Sequence, residues 1–166
     1  MKAIRQFLLE ADGDTDNSAK CIVKNGNHVL VVRRGKGSAG EGMWDLPGGH
    51  LKDDEKPEDG VRREVMEEVG IKLGTVKKVT DITLSWPEKG VKSKMAIYEA
   101  EPKGPGTDIY LSPSSNNPDE HYWQQLPRPE HTEYKWVLYK DELERMPMLG
   151  ELRDAILKHL KGRQSP

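Results

Sequence analysis

The sequence predicts an α/β fold, built as a single domain over residues 1–166. Three observations support this prediction: a strand hairpin at Asn25-Gly26, a helix that fits between Pro57 and Gly70, and further strands that lead to an amphipathic closing segment. A chain of 166 residues can bury the core of one ordinary domain. No internal repeat or linker divides it, so we expect one layered domain.

Two strands are predicted ahead of the helix. Segments 20–23 and 28–33 flank Asn25-Gly26, which is a strong short-range hairpin signal. The continuous apolar run 29–32 is typical of a strand that is buried on both faces. A loop rich in Gly and Ser follows at 35–42, and a short strand at 43–46 then leads into Pro47-Gly48-Gly49.

The helix is predicted from its ends and its apolar stripe. Pro57 suits the first helical turn, where a backbone N–H has no partner within the helix. Gly70 suits the left-handed conformation that ends a helix. Val61, Val65 and Val69 recur every four residues and should form the face that packs on the sheet.

The remaining elements complete a layered α/β order. Strands are predicted at 76–85, 93–100 and 134–139, and an amphipathic helix at 149–160. Between them, residues 102–129 form a long segment rich in Pro, Ser, Asn and Gly, and loops of this length are usually functional or disordered.

Composition narrows the class of protein. The net charge is −2, whereas a general nucleic-acid binder should be clearly basic, so nucleic acid is not an expected partner. The single Cys21 precludes an intramolecular disulfide and suits a reducing compartment. No apolar run approaches the roughly 18 residues of a membrane span, and the N-terminal segment is too charged for a signal peptide. We expect a soluble cytoplasmic protein, monomer or homodimer, with no membrane partner.

Three glutamates crowd one face of the predicted helix. Glu64, Glu67 and Glu68 stand at the i, i+3 and i+4 positions, where like charges repel. A hard divalent cation such as Mg2+ or Mn2+ would offset this repulsion, because such ions take carboxylate oxygens as ligands. The alternative is a solvated charged face, and the wider pattern decides against it.

That pattern has fixed residue types at fixed spacing. It comprises Gly49, Glu55, Arg63-Glu64, Val65, Glu67-Glu68, Gly70 and Ile71. It resembles the signature box of the Nudix hydrolase family without a departure at any defining position. The resemblance extends from about residue 32 to residue 136, and it implies an α/β/α sandwich with a mixed β-sheet and metal-dependent cleavage of a phosphorus-containing acid anhydride.

The resemblance also implies roles for residues at the box positions. It makes Glu64 and Glu68 the principal metal ligands, together with the carbonyl of Gly48. It makes Glu67 a further ligand or the candidate base, and Glu55 a carboxylate of the metal shell. At the i, i+4 spacing Arg63 can pair with Glu67 and orient it. An additional catalytic carboxylate is expected from Glu130, in preference to Glu133, whereas His131 is read as a hydrogen-bonding loop residue.

Substrate contacts are predicted outside the box. Arg33 and Arg34 end a strand, where alternation sends them to opposite faces, and Arg34 is the candidate phosphate clamp. Trp86 and Tyr122 lie in predicted loops, where aromatic rings can stack a base. Trp44 is assigned to the core.

The substrate class rests on one further position. Pro87 lies 16 residues after Ile71 (87 − 71), an offset that resembles the ADP-ribose pyrophosphatase subgroup. We therefore expect a nucleoside diphosphate linked to another group, with ADP-ribose or a nucleotide sugar favoured narrowly. The alternatives are a nucleoside triphosphate pyrophosphatase of the MutT type and a non-catalytic nucleotide-sensing domain. A third alternative is removal of a 5′ pyrophosphate or cap from RNA, which the acidic balance disfavours.

Overall fold

The computed structural model describes residues 17–35, 40–86, 91–104, 109 and 131–164. Within these ranges the strands are β1 (Ser18–Asn25), β2 (His28–Arg34), β3 (Trp44–Asp45), β4 (Gly48–His50), β5 (Lys77–Trp86), β6 (Val91–Ala100) and β7 (His131–Leu138). The α-helices are α1 (Pro57–Val69) and α2 (Gly150–Lys161), with short 3-10 helices at Leu143–Arg145 and Gly162–Gln164.

The strands form one mixed sheet of seven. Its main path runs β3-β2-β1-β6-β5, while β4 pairs with β1 and β7 pairs with β2. The β1–β6 pair is parallel, and the other named pairs are antiparallel. β1 therefore lies at the centre, and it carries the β4 segment that begins at Gly48.

Both faces of the sheet are covered by a hydrophobic layer. One layer places Val61, Val65 and Val69 of α1 against apolar residues of the sheet, including Cys21 and Tyr98. The other layer places Leu152, Ile156 and Leu160 of α2 on the opposite side, with residues such as Ile22, Val31 and Ile97. This confirms the predicted α/β/α sandwich with a mixed sheet.

The first hairpin turns one residue later than predicted. Asn25 pairs with His28, so the two loop residues are Gly26 and Asn27. Gly26 has φ +60°, and no non-glycine residue in the described part of the chain has positive φ. A glycine with positive φ at the first loop position is the type II′ arrangement, which matches the twist of the two strands.

Helix α1 begins and ends where the sequence predicts. Pro57 occupies its first turn, and Gly70 ends it with φ +72° and an N–H bond to the carbonyl of Met66. Gly60 inside the helix also has a reason. A Cβ there would lie 2.6 Å from Leu51 Cδ2 and 2.8 Å from Glu55 Oε1, so the glycine leaves room for the loop that precedes the helix.

Strand β7 is longer at its start than the predicted 134–139. It pairs with β2 from His28↔Leu138 to Arg34↔His131, with a register shift between Arg33 and Arg34. Pairing with β2 extends β7 back to His131, and the hydrophobic pattern of the sequence alone could not show this. Neither described α-helix is long and apolar enough to cross a membrane.

Candidate active site

The glutamates of α1 reach different parts of the β4 loop. Glu68 is buried, and its Oε2 accepts the Gly48 N–H at 2.9 Å. Glu64 lies against Gly49 so closely that a Cβ on that glycine would be 2.4 Å from its Oε2. The carboxylates of Glu64 and Glu68 are thus packed on the two glycines, while Glu67 is more exposed.

Arg63 organises the carboxylates with all of its donors. A guanidinium has five N–H groups, and five bonds to four residues are present. Two bonds go to Glu55, from Nη2 at 2.7 Å and from Nε at 3.1 Å. Nη1 donates to Glu64 at 2.7 Å and to Glu67 at 3.2 Å. Nη2 also donates to the His50 carbonyl at 3.0 Å.

The strongest partner of Arg63 is Glu55 rather than the expected Glu67. Glu55 accepts two hydrogen bonds from the guanidinium, and it also accepts the Lys52 N–H at 2.7 Å. The bond from Arg63 lowers the pKa of Glu55. In turn, the bond from Glu55 is the largest of the effects that raise the pKa of Arg63. Each group therefore keeps the other ionised, and the loop before α1 is tied to the helix.

Gly48 is the position that tolerates no side chain. It has φ +148°, and a Cβ would meet the Ala19 carbonyl oxygen at 2.1 Å and Lys20 Cα at 2.8 Å. Only glycine adopts this backbone conformation readily. The close approach of β4 to β1 is what presents the Gly48 N–H to Glu68.

The donor set suits a divalent metal ion. Glu55, Glu64, Glu67 and Glu68 bring four negative charges against the one positive charge of Arg63, all on or beside α1. In the described part of the chain, no three His, Cys, Asp or Glu side chains already converge on a single point. The carboxylates are turned toward Arg63 and Gly48 instead. Their oxygen chemistry and shared helix face nonetheless fit a hard cation.

A second polar cluster lies buried beside this site. Asp45 Oδ2 accepts bonds from Lys20 Nζ at 2.9 Å and from Arg34 Nη1 at 2.7 Å, and Oδ1 accepts the Leu46 N–H at 2.7 Å. Burial alone would raise the pKa of Asp45, but Lys20 and Arg34 outweigh it and lower the pKa to about 2. The aspartate is therefore a carboxylate at physiological pH.

His131 borders the same cluster and is 3% exposed. Burial lowers the pKa of His131 from 6.5 to about 3, helped by Lys20 and Arg34 and opposed by Asp45. The imidazole is consequently neutral in the folded protein. His131 was predicted in a loop, but the structure places it as the buried first residue of β7.

We expect acidification to destabilise the fold through His131. In the unfolded chain this histidine titrates near 6.5, so between pH 6.5 and about 3 only the unfolded state takes up the proton. The free energy of unfolding should fall by about 2 kcal/mol between about pH 6.5 and pH 5, at about 1.36 kcal/mol per pH unit. Urea unfolding of the wild type and of His131→Asn at the two pH values measures the difference in slope. Equal losses in both proteins would contradict the assignment.

The predicted substrate residues are only partly within the described structure. Arg34 turns inward to Asp45, whereas Arg33 is exposed, with bonds to the Gly42 carbonyl and Glu133, so the two arginines diverge as predicted. Trp44 packs against the core layer under α2. Trp86 was predicted in a loop, but its backbone ends strand β5 and pairs with Val91. Outside the described structure lie Glu130, Tyr122 and the side chain of Trp86.

Several polar residues of this region were not predicted from the sequence. Asp45 and Lys20 were assigned only to strands, although a charged residue inside an apolar strand is a signal of burial with a partner. Ser18 and His50 were also overlooked, and they form a bond of 3.1 Å between Oγ and Nδ1 beside Gly49. Only the pairing of β1 with β4 brings these two side chains together.

The sandwich and its glutamate-bearing helix define a class of phosphoanhydride hydrolases. The family model described as NUDIX domain matches residues 14–159, and the chain belongs to this family. It is therefore a pyrophosphohydrolase that acts on phosphorus-containing acid anhydrides.

Named relatives agree with this placement. An RNA pyrophosphohydrolase of Shewanella denitrificans is 27% identical over 134 residues, covering 80% of this chain and 75% of that protein. A MutT-like protein of Streptomyces ambofaciens is 47% identical over 55 residues, but the match spans only 33% of each chain. The crystal structure of the MutT protein from Methanosarcina mazei Go1 has a TM-score of 0.64 at 24% identity, covering 89% of this chain and 94% of that one, which shows the shared fold.

Proposed function

We propose that the chain hydrolyses the pyrophosphate linkage of a nucleoside diphosphate linked to another group, with Mg2+ or Mn2+ as cofactor. The observation that carries the proposal is the five-bond network of Arg63, which holds Glu55, Glu64 and Glu67 beside the buried Glu68. Such an arrangement of carboxylates has a clear use only where positive charge is to be bound.

The proposed ligands are the carboxylates of Glu64, Glu67 and Glu68 together with the Gly48 carbonyl. A bound divalent ion would neutralise charge on the diphosphate oxygens and would lower the pKa of the attacking water. Because Glu64 and Glu68 pack on Gly49 and Gly48, their positions follow the β4 backbone. Because Arg63 has no donor left over, its role is to hold the carboxylates in place.

The reaction needs one proton acceptor. The water oxygen forms a bond to phosphorus, the bridging P–O bond breaks, and two phosphate-bearing products leave. We assign the acceptor to Glu67, which is the most exposed of the three carboxylates bound by Arg63 and contacts Arg63 at 3.2 Å. Arg34 is proposed to contact a substrate phosphate, and Glu130, Trp86 and Tyr122 stay predicted contributors.

The preferred substrate within this class is proposed to be ADP-ribose or a nucleotide sugar, on the offset of Pro87 from Ile71. Two relatives favour other candidates. An 8-oxo-dGTP diphosphatase of Proteus vulgaris, 31% identical over 74 residues, favours a nucleoside triphosphate, and the RNA pyrophosphohydrolase match favours an RNA. The net charge of −2 counts against the RNA candidate, because a polyanion gains from a basic surface.

A substrate panel tests the proposal. ADP-ribose, a nucleotide sugar, the nucleoside triphosphates, a dinucleoside polyphosphate and a 5′-triphosphorylated RNA are compared by kcat/KM at fixed Mg2+. We expect ADP-ribose or the sugar nucleotide to exceed the triphosphates by about tenfold or more, which corresponds to about 1.4 kcal/mol of transition-state stabilisation. A preference for triphosphates or RNA would replace the proposed substrate. Tight nucleotide binding without turnover of any compound would favour the nucleotide-sensing alternative.

The cellular setting is proposed from one residue. Cys21 is buried and unbridged, and burial raises the pKa of its thiol, so it is inert rather than redox-active. A single inert cysteine suits the cytoplasm, where we expect the substrate to be found.

A further inference from the structure

Asp45 joins three parts of the molecule that are distant in sequence. Its two oxygens hold Lys20 of β1, Arg34 of β2 and the Leu46 N–H that follows β3. The side chain is 4% exposed, and the side chain of Lys20 is 8% exposed. Buried charges are costly unless they are paired and hydrogen-bonded, so this arrangement is fixed rather than optional.

Two of the residues bonded to Asp45, Lys20 and Leu46, lie close to Gly48. Lys20 and Gly48 are partners in the β1–β4 pairing, and the Cys21 N–H donates to the Pro47 carbonyl at 2.8 Å. Gly48 then donates its N–H to the buried Glu68. A shift of the Asp45–Gly48 segment would therefore move both the Gly48 carbonyl and the carboxylate of Glu68.

The third residue bonded to Asp45 is Arg34, which is the proposed phosphate-binding residue. Arg34 donates the shorter of the two side-chain bonds to Asp45, at 2.7 Å against 2.9 Å for the bond from Lys20. One carboxylate thus sets the position of Arg34 on one side and of the Gly48 backbone on the other. The distance between a substrate phosphate and a bound cation would depend on this single group.

We propose that Asp45 is a positioning residue, which holds the Gly48 backbone in register for metal binding and aligns Arg34 with it. This inference deepens the proposed function and rests on it. Asp45 touches neither substrate nor metal and acts through Lys20, Arg34 and Leu46.

Asp45→Asn is the first test, because it removes the charge and keeps an oxygen for the Leu46 N–H. Mn2+ binding to the full-length protein is measured without substrate, by the electron paramagnetic resonance signal of free Mn2+. We expect the Kd for Mn2+ to rise by about tenfold or more, the usual effect of removing a group that orients metal ligands. Unchanged Mn2+ affinity in the folded variant would overturn the inference.

Glu99→Gln is the matched control. Glu99 is also a buried carboxylate that holds two basic side chains, His159 at 2.7 Å and Arg163 at 2.5 Å, but on the far end of β6 under α2. A general loss of stability should be similar in both variants. We expect Glu99→Gln to bind Mn2+ like the wild type, and an equal loss of affinity there would show that Asp45 has no special role.

A double variant covers the case in which Asp45→Asn does not fold. Lys20→Met/Asp45→Asn removes one charge of each sign, so the buried cluster keeps its charge balance. The inference requires this variant also to bind Mn2+ about tenfold more weakly or worse. Wild-type affinity in the double variant would overturn it.

Amide exchange separates this inference from the proposed function. The Gly48 N–H is bonded to a buried carboxylate and should exchange slowly in the wild type. We expect faster exchange at Gly48 in Asp45→Asn and no change in Glu99→Gln. If the wild type itself binds no Mn2+, the proposed function fails. The positioning role of Asp45 is then tested by the exchange rate of the Gly48 amide alone. An unchanged rate in Asp45→Asn would overturn that role.

Discussion

Glu67→Gln should reduce metal-dependent hydrolysis by about a thousandfold or more while the protein stays folded. The amide keeps the size of the side chain but removes the negative charge and the proton acceptor, and a positioned base alone contributes about 10²–10⁴ in rate. Glu67 is 29% exposed and contacts Arg63 at 3.2 Å, so stability should change by less than about 0.5 kcal/mol. Product release with the best substrate of the panel and urea unfolding measure the two effects.

Glu142→Gln provides the matched control for this experiment. Glu142 is a similarly exposed carboxylate, 36% against 29%, and it is likewise paired with a basic side chain, Lys135 at 2.6 Å. It lies between β7 and the short helix at Leu143–Arg145, away from α1. Its removal should leave the rate unchanged. Turnover by Glu67→Gln at a rate comparable to this control would remove Glu67 from the mechanism.

Gly48→Ala should cause the largest loss of stability among simple substitutions at the site. The new methyl group would lie 2.1 Å from the Ala19 carbonyl oxygen, and neither atom can move without separating β4 from β1. Overpacking and an unfavourable φ each cost about 1–3 kcal/mol, so we expect a loss of about 3 kcal/mol or more. The midpoint of urea unfolding reports this loss, with Gly150→Ala as a control because a Cβ there meets no atom within 4 Å.

Gly49→Ala should behave differently although it is the adjacent residue. Its Cβ would meet Glu64 Oε2 at 2.4 Å, and the end of a side chain can rotate away at little cost. Activity should therefore fall because Glu64 is displaced, while the unfolding midpoint moves much less than in Gly48→Ala. Equal destabilisation by the two substitutions would show that the close approach of β4 to β1 is not the constraint at Gly48.

The local geometry of the site was largely predictable from the sequence. The helical period places Glu64, Glu67 and Glu68 on one face and puts Arg63 within reach of Glu67. The stop at Gly70 and the valine stripe follow from local rules in the same way. These predictions succeeded because each depends on residues within about two helical turns of one another.

Other parts of the site depended on distant residues and could not be predicted. Arg63 gives its two-pronged bond to Glu55, eight positions away, because the loop before α1 folds back on the helix. Gly60 is unfavourable inside a helix by local rules, and only the structure shows Leu51 and Glu55 packed against it. The turn at Gly26-Asn27 was displaced by one residue, since strand register and not the Asn-Gly pair decided it.

The sequence by itself determined the class of fold, the helix that bears the carboxylates and the family to which they belong. The tertiary structure alone decided how those carboxylates are held. Residues 20, 34 and 45 meet only because β1, β2 and β3 are neighbours in the sheet, and Gly48 reaches Glu68 only because β4 pairs with β1. Contacts along a helix follow from the spacing of nearby residues, whereas contacts across a sheet depend on the register of strands that are far apart in the chain.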